Sequence, residues 1–460
     1  MNKNKIIIFN IASTIILQGL AFFSGPIFSG MLGPNNYGIA SVYFTWVQIA
    51  STVFSLQAGG TLAVARVNFS ENKQNEFQSS VLSLATLSYV CLSIITILIA
   101  FVASRWIEIN ILMVIFGLLH GWGFYCVSYM NNKFTYEFKA DKNFILSVLI
   151  ISLTIGLSIF LIYLFPKSIN YWGRIIGQSS VYAFAGVFIF IYILYKGKCF
   201  YSYEYWKFTL PISIPVIFHM LANIVLNQSD KMMLQAMVGN SIAGIYALAC
   251  TFSAVLNTIW NALNNSWVPF YYKYTQNNEI EKMRFHANNY LELFTILTMG
   301  FILLSREVFH LYAKQDFWSG DTLIPFFSIG YYFIFLYSFP VNYEFYNKKT
   351  KTIAVGTTFA SVCNFILNVV FIKLMGIEGA VIATTISHGL QFVFHYIIAK
   401  RMIPGYFPFQ FLDFIPGLFF VLGTTVFYMF TKDFWMIRWG IGAVLGCYIL
   451  IKILRRKEIF

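Results

Sequence analysis

Between Phe144 and Leu164 the chain reads FILSVLIISLTIGLSIFLIYL, 21 residues without one charged side chain. As a helix this run is about 30 Å long, the thickness of a bilayer's hydrocarbon core. Lys139, Asp141 and Lys142 precede it and Lys167 follows it, so water-seeking groups bound it on both sides. The rest of the chain repeats the pattern. Of 460 residues, 58% are hydrophobic and 11% charged, against roughly 25% charged in an ordinary soluble domain. Water cannot be the main solvent of such a chain. Apolar runs of this kind recur about fourteen times. They start with Ile6 to Met31 and Tyr37 to Leu62, continue through Phe208 to Gln235, Ser241 to Trp267 and Tyr290 to Leu304, and end with Phe411 to Phe430 and Trp435 to Leu454. The expected fold is all-α and integral to the membrane, with about 14 transmembrane helices.

The charge of +13 reports orientation, because Lys and Arg are retained on the cytoplasmic side during insertion. Of the 31 basic residues, 22 fall in breaks on the side of the N-terminus, among them Lys3, Lys5, Lys139, Lys142, Lys348, Lys349, Lys400 and Arg401. Both termini are therefore expected in the cytoplasm, and no nucleic-acid partner is implied. The polar breaks are too short to fold as an extramembrane domain. The six cysteines lack CxxC spacing, which points to neither a disulfide framework nor a metal site. There is no GxxxxGK[ST], HExxH or GxSxG, so neither nucleotide hydrolysis, a cofactor nor any other enzyme chemistry is indicated. The first apolar run is too long for a cleaved signal peptide and reads as a span.

Comparison of the chain with itself gives a repeat. Gly33 and Gly38 recur as Gly239 and Gly244, and Gly173 recurs as Gly379, all at an offset of 206 residues. A shift of six spans preserves orientation, so the halves would be parallel repeats. The expected organisation is a six-helix lobe over 1–200, a second over 201–403, and an added two-helix segment over 404–460.

Polar residues at helical spacing inside apolar spans are where function is expected, since lipid would leave them unsatisfied. His219, Asn223, Asn227 and Asp230 share one face of the seventh span, with Lys231 beside them. Asn257, Asn261 and Asn264 do the same in the eighth. Neutral amides suit sugar hydroxyls, to which they both donate and accept. The alternative is structural: such groups also glue helices together. In the twelfth span Thr384, His388, Gln391 and His395 form a stripe whose imidazoles either relay protons or sit satisfied in the core. Glu292 in the ninth span is an ion-coupling candidate together with Asp230, His219 and His388, or else a boundary residue. Arg66 and Arg174, at opposite membrane edges, would either meet a diphosphate or snorkel to headgroups.

Several segments carry a resemblance: MLGPNNYGIASV from Met31, AGGTLAVAR from Ala58, NQSDKMMLQAMVGNSIAGIYALA from Asn227, NNSWVPFYYK from Asn264 and MGIEGAVIATTIS from Met375. In order and spacing the chain resembles the Wzx-type polysaccharide-biosynthesis flippases, of the superfamily that also holds multidrug exporters and the lipid II flippase. The resemblance implies two six-helix lobes around an amphiphilic cavity, alternating access, and cationic residues at Lys231 and elsewhere that receive a lipid diphosphate. Arginine is the commoner residue at the position of Lys231, and Lys231 offers no bidentate fork.

The function so implied is flipping of an undecaprenyl-diphosphate-linked oligosaccharide of capsule, O-antigen or exopolysaccharide type across a bacterial cytoplasmic membrane. Its partners would be that substrate, membrane lipid, a proton or sodium ion if transport is coupled, and a glycan polymerase. Two rivals stand beside this reading. One is a cation-coupled multidrug or metabolite exporter of the same fold, disfavoured by the lack of any acid before Glu71. The other is a membrane-embedded glycan polymerase or acyltransferase, disfavoured by the lack of a large loop.

Overall fold

A computed structural model describes residues 3–402 and 407–456. Fourteen α-helices and short 3₁₀ turns make up these residues, in the order α1 Lys3–Phe54, α2 Leu62–Asn68, α3 Gln74–Ala103, α4 Ile111–Tyr136, α5 Ala140–Leu164, α6 Tyr171–Gly197, α7 Tyr203–Met237, α8 Asn240–Gln276, α9 Ile280–Tyr312, α10 Ile324–Tyr346, α11 Thr350–Met375, α12 Ile377–Met402, α13 Ile415–Phe430 and α14 Trp435–Arg456. Helices are what an apolar solvent demands, because every backbone N–H and C=O must be satisfied within the segment. Eleven of them are long and apolar enough to cross a membrane, or twelve if one bent pair counts as a span. The chain is thus a multi-pass membrane protein.

The start of the chain differs from the expected pair of spans. α1 runs through both, broken at Gly33, whose φ of 69° and ψ of 170° are open to glycine and strained for other residues. The second expected span also ends early. Leu56 and Gln57 take left-handed backbone, Ala58–Thr61 forms a 3₁₀ turn over two glycines, and the chain bends by 55° before α2. Gln57, Gly59, Gly60 and Arg66 therefore lie beyond the second span rather than at its end.

By compactness the chain divides into two units, Met1–Gln228 and Ser229–Phe460, and the division falls inside α7. The expected lobe boundary at 200/201 lies in the turn before α7, and that at 403/404 lies outside the described residues. In the first unit the core gathers Phe77, Val81, Tyr125, Tyr129, Ile189 and Ile193 from α3, α4 and α6. In the second it is heavily aromatic, with Trp267, Tyr290, Phe294, Tyr332, Phe335 and Phe339 from α8, α9 and α10. Helices cannot be driven together by water inside lipid, so close van der Waals packing has to hold them.

The glycine pairs of the repeat play matching roles. Gly239, like Gly33, has positive φ, 132°, at the junction ahead of a helix. A Cβ on Gly173 would collide with the backbone of Leu161 and Ile162 in α5, and one on Gly379 with Phe371 and Ile372 in α11. The α5–α6 and α11–α12 hairpins thus close in the same way.

The α13–α14 pair packs on α9 and is fastened there by charge. Arg438 is wholly buried. It donates to the carbonyls of Leu303 at 2.7 Å, Thr431 at 3.1 Å and Lys432 at 3.1 Å, and pairs with Glu307. Nearby, the buried Asp321 is met by Arg306 at 3.3 Å, His310 at 3.0 Å and Lys432 at 3.4 Å.

Candidate substrate and ion sites

Asp230 is where four helices of the second unit meet. It stands on α7, is 2% exposed, and accepts three hydrogen bonds. Tyr246 of α8 donates its hydroxyl to Oδ2, Thr384 of α12 donates to the same oxygen at 2.6 Å, and Asn368 Nδ2 of α11 donates to Oδ1 at 2.5 Å. A further ring of bonds steadies these donors. Asn368 Nδ2 also reaches Asn364 Oδ1 at 3.0 Å, Asn364 Nδ2 donates to Thr384 Oγ1 at 2.9 Å, and Ser229 Oγ donates to Asn364 Oδ1 at 3.2 Å. One carboxylate, two amides and three hydroxyls so arranged present oxygen atoms to a small hard cation, or hold a proton on the acid. The sequence reading found Asp230 and Thr384 and missed Asn364 and Asn368. Their spacing of four inside an apolar span was the available signal.

The other residues of the seventh-span stripe do not join this cluster. Asn223 Nδ2 bonds within its own helix, 3.2 Å from His219 Nε2 and 3.1 Å from the His219 carbonyl, and Asn227 Nδ2 donates to the Asn223 carbonyl at 2.8 Å. In α8, Asn261 Nδ2 donates to the Asn257 carbonyl at 2.9 Å, and Asn264 accepts from Asn342 of α10 at 3.1 Å. Asn227 and Asn261 are exposed, and His219, Asn223, Asn257 and Asn264 half-buried. Lys231 is half-buried beside Asp230.

The arginines are placed differently from each other. Arg66 is on the short α2, exposed, and paired with Glu71 at 3.2 Å. Arg174, at the start of α6, is half-buried with its guanidinium carbon 4.1 Å from the ring centroid of Phe28 and 5.4 Å from that of Tyr37. Those two rings flank the Gly33 break, and Asn36 and Asn170 hold the same junction through a 2.8 Å bond.

His388 is buried, with Nδ1 3.5 Å from Gln391 Oε1, and His395 is buried against Glu344 of α10, an acid the sequence reading passes over. Glu292 pairs with Lys452 and accepts from Tyr448 at 2.6 Å, so its charge is met by α14. It stands at the rim of a cavity of about 560 Å³ whose walls include Thr295, Tyr332, Phe420 and Leu445, from α9, α10, α13 and α14. Among the described residues no group of three or more His, Cys, Asp or Glu is placed to hold a metal ion.

A profile of the polysaccharide biosynthesis protein family matches residues 4–275, more than half of the chain. The chain belongs to that family. No curated protein matches this family member at the level of sequence. Among solved structures it is similar to lipid II flippase MurJ in an inward closed conformation, at 18% identity and a TM-score of 0.71, covering 98% of this chain and 99% of that one. It is also similar to an inward-facing multidrug resistance MATE transporter, at 13% identity and 0.58, covering 91% and 98%. A third is the MATE multidrug transporter DinF-BH, at 14% and 0.57, covering 89% and 98%. This polysaccharide biosynthesis protein therefore has the fold of the MurJ and MATE transporters along nearly its whole length.

Proposed function

We propose that the chain flips an undecaprenyl-diphosphate-linked oligosaccharide from the inner to the outer leaflet of a bacterial cytoplasmic membrane by alternating access, with both termini in the cytoplasm. What supports this is a stripe of amides on α7 and another on α8, each within its own helix, with Asn227 and Asn261 exposed on helices long and apolar enough to cross a membrane. One N–H of each is turned onto its own helix backbone, which leaves the second N–H and the amide oxygen to donate to and accept from sugar hydroxyls. A diphosphate glycan cannot cross hydrocarbon unaided, and a polar path removes that barrier.

Three further assignments belong to this reading. Lys231 in the second unit or Arg66 in the first receives the diphosphate; the exposed Arg66–Glu71 pair is worth at most about 1 kcal/mol and gives way readily to phosphate. Arg174 is the weaker candidate, because it would have to leave two aromatic rings. Asp230, in its cluster of neutral oxygens, carries the coupling ion, proton or sodium, whereas Glu292 is already neutralised by Lys452. The cavity at Glu292 is wide enough for a length of prenyl chain. The lobes at 1–200 and 201–403 supply the moving parts, and a glycan polymerase takes the product.

The test is flipping of defined lipid-linked oligosaccharides by the protein reconstituted in vesicles. Transport that needs both the glycan and the diphosphate supports the proposal. Loss of the gene accompanied by dye sensitivity, with no lipid-linked glycan accumulating, would establish the exporter alternative instead.

A further inference from the structure

Glu344, near the end of α10, and His395, on α12, are both wholly buried, and Nδ1 of the ring lies 2.6 Å from the carboxylate Oε1. The other oxygen, Oε2, and the other ring nitrogen, Nε2, have no hydrogen-bond partner. The imidazole fits only because residue 356 of α11 is glycine: a Cβ there would overlap Nε2 and Cε1 of the ring and crowd Phe394. Tyr337 of α10 stands edge-on to the ring, with centroids 5.0 Å apart.

The charged and titratable surroundings of this pair are sparse. From α10 there is Tyr337; from α11 the facing residue is Gly356; along α12 there are His388, bonded to Gln391, and Lys400, whose Nζ donates to the Phe407 carbonyl at 3.3 Å. With a neutral imidazole donating from Nδ1, the pair carries one negative charge away from water. One added proton makes the pair neutral overall, either as carboxylic acid and imidazole or as carboxylate and imidazolium. Both forms keep the same Nδ1–Oε1 hydrogen bond, so the proton binds and leaves with little rearrangement of heavy atoms.

We infer that Glu344 and His395 together form a proton-binding site of the second unit, separate from the Asp230 cluster. The two sites share no residue. Asp230 draws its partners from α8, α11 and α12, whereas this pair joins α10 to α12 at the end that carries Lys348, Lys349, Lys400 and Arg401. Protons enter from water at that end and return to it, and no oxidant or other co-reactant is needed. Loading the pair discharges the α10–α12 contact, which adds a proton-linked step to whatever ion Asp230 carries.

The experiment is infrared difference spectroscopy of the full chain in phospholipid vesicles, titrated over about pH 5 to 9, the range in which imidazoles exchange protons. The expected result is a protonated-carboxyl band that disappears in Glu344→Gln, shifts in His395→Gln and in Gly356→Ala, and persists in Asp230→Asn. A band unchanged by Glu344→Gln and His395→Gln overturns the inference. Wild-type protein with isotope-labelled histidine, read by solid-state NMR, covers the case in which the variants do not fold. There a His395 ring that keeps one protonation state across the whole range, together with no wild-type protonated-carboxyl band changing over the same range, also overturns it. Neither readout involves substrate, so failure here leaves the flipping proposal standing, and failure of flipping leaves this site standing.

Discussion

The two units use the same backbone devices and different side chains. Gly33 and Gly239 break the chain at the same point of each, and Gly173 and Gly379 close the same hairpin. Carried across by the 206-residue offset, however, Asp230, Tyr246, Asn364, Asn368 and Thr384 land on Ser24, Ala40, Ser158, Ile162 and Gln178. The first unit has no acid there. Its buried polar groups include Ser158, at the position of Asn364, and Tyr43, whose hydroxyl is 2.8 Å from Ser179 Oγ and 3.4 Å from His120 Nδ1. The two units share where helices bend and touch, while a carboxylate at this position occurs in one of them only. On the proposed reading, a cation has a carboxylate to bind at Asp230 in one unit and none at the matching position of the other.

The largest expected effect comes from breaking that asymmetry at its source. Asp230→Asn should abolish ion-dependent flipping, by at least about 100-fold if the coupling is worth about 3 kcal/mol. Flipping that keeps its wild-type rate and ion dependence would separate the cluster from coupling. Next in size is a matched pair, Gly173→Ala and Gly379→Ala. Each drives a methyl group into a neighbouring backbone and should cost about 1–3 kcal/mol, seen as parallel losses of thermal stability. A large loss in one and none in the other would break the structural half of the comparison.

Lys231→Ala should then lower flipping roughly tenfold, equal to about 1.4 kcal/mol of a charge-assisted contact, with thermal stability nearly unchanged. Equal flipping of substrates with and without the diphosphate would remove Lys231 from that role. Smallest is Arg66→Gln. Losing the exposed bond to Glu71 should alter stability by less than about 1 kcal/mol, so a fall in substrate affinity in vesicle assays would be functional and not structural.

What could be read from the residues alone follows from the range of the forces involved. Apolar runs, the bias of Lys and Arg and the glycine offset are properties of segments, and they gave the membrane fold, its approximate helix count and the family. Asp230 was visible because its own helix carries a polar stripe. Its partners Asn368 and Thr384 are 138 and 154 residues away in sequence, and no local periodicity ties them to it. Glu344 was invisible for the same reason, as a single acid near a helix end whose meaning depends on an imidazole 51 residues later. The early end of the second span was hidden because apolar Leu56 and polar Gln57 give no sign of left-handed backbone in a run that otherwise continues as helix.

The burial of Arg438 also bears on how the chain is made. Glu307 leaves the ribosome 131 residues before the guanidinium that neutralises it. Until α14 is translated, Glu307 of α9 lacks the guanidinium that it pairs with in the folded chain. A chain cut short after α12 would leave this acid without either of its partners from α14, Arg438 and Trp439.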